Sequence, residues 1–200
     1  APARSVTRIN CRCDNLARYL RVALNRAADG SESPECSALT ALGRALGVLG
    51  EGEDGVEPLI RATFAPAHPG GLASHLLHLA RTGFQLRERL SLDNWRALNA
   101  LVEKMGEPDD GLGLFEALAR LDEAIGCFMT LAGFALDGMT RDHGWRFLSL
   151  GRRIERLQFQ TEAISVAIRA ERSKLEWLLE VSDSIMTYRS RYTARPEWIA

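Results

Sequence analysis

Apolar residues recur at steps of three and four along most of this chain, and nowhere do they alternate at the period of two that marks a half-buried strand. Val6, Ile9, Cys13, Leu16, Leu20 and Leu24 form one face of a helix running to about Ala28, where Asp29-Gly30-Ser31 ends it. Leu39, Leu42, Leu46 and Leu49 predict a shorter helix, stopped by the glycine- and acid-rich run from Gly50 to Gly55. Val56 to Phe64 reads as another, broken by Pro66 and Pro69-Gly70-Gly71, because proline lacks a donor and glycine costs about 1 kcal/mol of helix propensity. Leu72, Leu76, Leu79, Gly83, Leu86 and Leu90 repeat at four and three before Ser91 bends the chain and caps a helix carrying Trp95, Leu98 and Val102.

Beyond a Pro/Gly link, Leu114, Leu118, Leu121, Ile125, Phe128, Ala132 and Ala135 predict a long helix. Asp142 caps the next, whose apolar stripe is Phe147, Leu150, Ile154, Leu157, Thr161, Ile164 and Ile168. A last helix begins near Lys174 and carries Leu175, Leu178, Ile185 and Met186. Long helices with heptad-like stripes and short links predict an all-α fold, an antiparallel bundle of about seven to eight helices crossing near +20°. Each buried Leu, Ile or Phe contributes roughly 1.5–3 kcal/mol against exposure, so apolar spacing alone stabilises such a bundle.

The formal net charge of -1 gives no field to draw the chain to nucleic acid or an anionic membrane, which excludes both as expected partners. All of the 25 basic residues are arginines except Lys104 and Lys174. Cys11, Cys13, Cys36 and Cys127 are too irregularly spaced for a disulfide scaffold or a zinc site, so free thiols and a cytoplasmic location are expected. No stretch reaches the roughly 20 apolar residues of a membrane helix, and a chain beginning at Ala1 reads as a processed or truncated product.

Chemistry concentrates where polar residues flank the stripes. Glu155 stands among Arg152, Arg153 and Arg156, while Thr7-Arg8-Ile9-Asn10-Cys11-Arg12 lines up with Gly151-Arg152-Arg153-Ile154-Glu155-Arg156. If the two helices are neighbours, Arg8, Arg12, Arg152 and Arg156 can converge on one anionic group; a solvated helix-surface ion pair, worth about 0.3–0.5 kcal/mol, is the plain alternative. Asp14 follows Arg12 on the same helix and joins the candidate set. The run from Asp183 to Tyr192, with Tyr188, Arg189 and Arg191, suits a carboxylate, a phosphate or a partner helix as well as it suits solvent. Arg81 to Asn99 reads as a helix corner pinned by Trp95. His75 and His78 lack the Glu-x-x-His companion of a diiron bundle, so no metal and no cofactor is expected, and no self-contained catalytic motif is present.

Met139-Thr140-Arg141-Asp142-His143-Gly144-Trp145-Arg146-Phe147-Leu148-Ser149-Leu150-Gly151-Arg152-Arg153-Ile154-Glu155-Arg156 resembles the alpha-E superfamily, a bacterial helical family named for its Glu-Arg motif. Arg87 to Asn99 and Thr187 to Tyr192 agree in the same order, and Arg12, Asp14, Asn15, Ala17 and Arg18 match the family's first motif. Cys11 stands where that motif commonly has Glu. The resemblance implies one helical domain over residues 1–200, truncated at its C-terminus relative to the family. It also implies association with ATP-grasp-like ligase and transglutaminase-like peptidase domains, and hence an accessory domain contacting a peptide substrate or a ligase. Arg8, Arg12, Asp14, Arg141, Arg152, Arg156, Tyr188, Arg189 and Arg191 are the candidate binding residues, and Glu155 the candidate general base of an enzymatic alternative. A purely structural helical scaffold is the third reading.

Overall fold

The computed structural model describes residues 2–30, 33–85, 87–89, 91–106, 112–137, 140–170, 174–192 and 196. They form α1 (Pro2–Ala28), α2 (Pro34–Ala45), α3 (Val56–Phe64), α4 (Leu72–Gln85), α5 (Leu92–Lys104), α6 (Leu114–Asp137), α7 (His143–Arg169), α8 (Glu176–Val181) and α9 (Ile185–Arg191), with a 3-10 turn at Arg87–Arg89. The fold is all-helical, with no strand among the described residues.

The first helix is the hub. α1 packs most extensively on α6, α7 and α4 and more lightly on α2, α3 and α8, whereas the consecutive helices α6 and α7 barely touch. Its predicted stripe is in the core: Cys13, Leu16, Leu20 and Leu24 are buried, and so are Ala17 and Tyr19 on the adjoining face. A helix surrounded on several sides must be apolar over more than one stripe, and the remaining polar positions must find partners. The arginines of α1 do so: Arg21 pairs with Asp122 of α6, and Arg26 with Glu35 of α2 and Glu180 of α8.

Local signals act where the pattern puts them. Ser91 accepts from the Asn94 amide and Asp142 from the Trp145 amide, each satisfying one donor that a helix start leaves open. Gly83 sits in the α4 stripe because a Cβ there would stand 2.6 Å from a methyl of Leu98, so its lack of a side chain lets α5 approach. The Phe84 and Trp95 rings, 6.0 Å apart, hold the corner between these helices. Leu86 and Leu90, like Met139 and the side chain of Ala135, lie outside the described residues.

Three expectations need correction. The stripe assigned to α7 faces outward: Phe147, Leu150, Ile154, Leu157, Thr161, Ile164 and Ile168 are all exposed, and the buried face is Leu148, Gly151, Glu155, Phe159, Ala163, Val166 and Ala167. Three of these seven buried residues, Gly151, Ala163 and Ala167, are small, and α1 is the helix on which α7 packs most extensively. The predicted last helix is two, α8 and α9, because Asp183 between them takes a left-handed backbone (φ 56°) that no helix accommodates. Trp177 and Val181 are its buried residues, while Met186 is exposed. The helix of residues 34–45 ends before Leu49, which is buried from the following turn instead.

Candidate functional site

Arg8 and Arg12 are one turn apart on α1, so both side chains leave the same face, and that face meets α7 at Glu155. Arg8 donates from Nε and Nη2 to Glu155 Oε2 at 3.3 and 3.2 Å, and Arg12 Nε donates to Oε1 at 2.5 Å. Each carboxylate oxygen is thus held by a different guanidinium. The burial is uneven: the Glu155 side chain is 7% exposed, while those of Arg8 and Arg12 are 38% and 44% exposed. The anion is inside the seam and its two cations form the lid.

The anionic group on which the arginines converge is therefore internal, and it gathers two of the four. Arg152 contributes its carbonyl, which accepts from the Cys11 thiol at 3.6 Å, and Arg156 donates to the Ser182 carbonyl at 3.4 Å. Cys11 is buried, and burial first, with Asp14 and Glu155 adding to it against Arg152 and Arg156, pushes its thiol up to about 11. Such a thiol is protonated at neutral pH and is no nucleophile.

A second polar knot adjoins the first. Arg18, buried and unmarked as a site by spacing, donates to Asp14 at 3.0 Å and pairs with Asp183 of the α8–α9 turn at 3.0 Å. Burial raises the Asp14 pKa and Arg18 opposes the rise. The i, i+4 spacing of Asp14 and Arg18 was the available signal, but such pairs are common on helix surfaces and say nothing about burial. Asn15, Arg156 and Ser182 complete a crevice of about 10 Å³, enough for one water and no more. His75 of α4 also faces this region; burial first, then Arg12 and His78, lower its pKa against the pull of Glu155.

The other predicted residues lie apart from the knot. Arg141 stacks on Trp145 at 5.5 Å beside the start of α7, and Tyr188 packs against Tyr192 at 4.9 Å on α9 with Arg189 and Arg191 exposed. All four cysteines are free. Among the described residues no group of His, Cys, Asp and Glu could hold a metal ion, and no helix is long and apolar enough to cross a membrane.

A bundle hinged on a buried Glu-Arg seam between its first and seventh helices defines the class, and comparison with known families agrees. The chain belongs to the Alpha-E family, described as a predicted alpha-helical domain with a conserved ER motif, whose model matches residues 6–200. Of the Glu155-Arg156 pair, Glu155 lies in the seam and Arg156 is exposed, donating to Ser182. Uncharacterized proteins of Mycobacterium bovis and of Mycobacterium tuberculosis are 27% identical over 210 residues. These matches cover 90% of this chain and 24% of each relative, so the chain spans about a quarter of their length. No solved structure matches the chain.

Proposed function

We propose that this is a helical accessory domain of a peptide-modifying, ATP-grasp ligase-associated system. In this reading it contacts a peptide substrate or the ligase through the arginines beside the α1–α7 seam. One observation carries it: Glu155 accepts from both Arg8 and Arg12, while Arg152 is half-buried and Arg156 exposed beside it on the same helix. A general base needs a free lone pair and room for the atom it deprotonates. Glu155 is 7% exposed and lies beneath two guanidinium groups that donate three hydrogen bonds to it, which favours a binding role for the face over catalysis. Exposed guanidinium groups suit carboxylates or phosphates of an incoming chain. The ligase and transglutaminase-like peptidase associations come from the family resemblance, and the free thiols accord with work in the cytoplasm.

Co-purification with an ATP-grasp-like protein of the kind the family resemblance implies, from the same organism, tests the reading. Wild type is expected to retain that protein, and Arg152→Glu/Arg156→Glu to lose it while keeping native helicity. Equal retention by both would leave the arginine face without the function proposed for it.

A further inference from the structure

The outward stripe of α7 is the largest feature the seam does not explain. Phe147, Leu150, Ile154, Leu157, Ile164 and Ile168 are each between 41% and 64% exposed, and with Thr161 they alternate at three and four residues along the whole helix. Monomeric proteins scatter single exposed apolar residues over their surfaces; they rarely align them into a continuous strip. A strip of this spacing is the seam that a second helix covers by knobs-into-holes packing.

Its margins indicate what covers it. At about 100° per residue, Arg146 and Arg153 fall along one edge of the strip, and both are exposed with no ion-pair partner among the described residues. On the opposite edge Glu162 and Arg169 offset each other. An antiparallel second copy of this helix would bring the same arginines and no carboxylate to the uncompensated edge, and a parallel copy would face it with the edge on which Glu162 is already offset by Arg169. Flanking carboxylates supply the missing charge.

We infer that the outer face of α7 docks an amphipathic helix of a partner protein, with apolar residues at three- and four-residue steps and acidic residues along its flank. The inference deepens the accessory-domain reading and rests on it. The arginines beside Glu155 contact the substrate or ligase, and the α7 strip is the anchor that holds a partner in place. Leu157, the most exposed of the strip, lies near its middle and inserts into the partner helix, where hot spots concentrate. Arg146 and Arg153 set the partner's orientation and sign.

Fluorescence anisotropy of the full chain with two synthetic helices as long as α7 tests this. The two share one Leu/Ile seam; one carries Glu and the other Lys at the flanking positions. Wild type is expected to bind the acidic helix at least about tenfold more tightly than the basic one, and Leu157→Asp to weaken the acidic complex by about the same factor. Arg146→Glu/Arg153→Glu should invert the preference. Leu157 is exposed, so unchanged far-UV circular dichroism and melting are expected for its variant. Equal affinity for both helices, or none for either, overturns the proposal. So does a wild-type dimer that Leu157→Asp converts to monomer, or binding of phosphatidylserine/phosphatidylcholine vesicles that Leu157→Asp abolishes. Wild type that retains the ligase-like protein but ignores the acidic helix defeats the docking inference alone; a chain that retains neither defeats the accessory reading as well.

Discussion

The Glu155 seam predicts an asymmetry. Its contacts can be removed from either side, by Glu155→Ala or by Arg8→Met/Arg12→Met, and a count of contacts makes the two equivalent. Burial does not. Taking away Glu155 leaves two guanidinium groups whose side chains are already 38% and 44% exposed, so they can turn to water. What is lost is the net value of charge-assisted hydrogen bonds, about 1.5–3 kcal/mol. Taking away the arginines leaves a carboxylate that is 7% exposed with no counter-charge at its oxygens, a situation that costs about 3–5 kcal/mol, while the methionine stems preserve most of the packing. The arginine double variant should therefore be the less stable by roughly 1–3 kcal/mol, and adding Glu155→Leu to it should restore most of the loss. Urea melts followed by circular dichroism measure all of these with a common m-value. Glu155→Ala proving as damaging as the double variant would refute the reasoning, because it would mean that the arginines, not the carboxylate, are the stranded charges.

Other consequences are equally open to measurement. A thiol titration in denaturant without reductant should count four thiols, whereas in the native protein Cys36 and Cys127 should react first, with Cys11 and Cys13 protected by burial and raised pKa. The lowered pKa of His75 means that the unfolded chain binds its proton more readily, so stability should fall as pH drops below about 6.5 towards the folded pKa, and His75→Asn should flatten that part of the profile. Gly83→Ala forces the Leu98 methyl away, an overpacking cost of about 1–3 kcal/mol that a helix-propensity gain of about 1 kcal/mol partly offsets, so the melting temperature should fall slightly. Asp142→Ala removes the cap on the Trp145 amide and should cost about 1 kcal/mol by the same measurement.

What the sequence makes legible is what is local. The caps at Ser91 and Asp142, the glycine stop after α1 and the bounds of α3 depend on neighbouring residues, and they stand where spacing puts them. The orientation of α7 does not, because that helix carries two candidate faces. The outer one has the larger apolar side chains; the inner one has Gly151, Ala163 and Ala167, whose value lies in how near they let α1 come. Hydrophobicity ranks side chains by their transfer from water, but a close helix contact selects for size, and only the partner helix reveals which criterion applies. For the same reason Glu155 reads from sequence as the flank of an apolar stripe, when it lies in the middle of the buried face. Arg8 and Arg12 were recoverable from the internal alignment of the two helices, whereas the pairing of Arg18 with Asp183 was not, since nothing near Arg18 in the chain announces it.

The hub position of α1 also bears on how the chain comes to be folded. It is made before the rest of this fold, yet two of its principal partners begin only at Leu114 and His143. At synthesis rates of about 5–20 residues per second, the stripe from Cys13 to Leu24 waits several seconds after Ala28 appears before the surfaces that cover it exist. α4 can shield part of it early, and the rest remains available to other nascent chains. Binding of this protein to a chaperone, and aggregation when that help is scarce, should accordingly be governed by its N-terminal helix, even though that helix is among the most thoroughly buried parts of the finished fold.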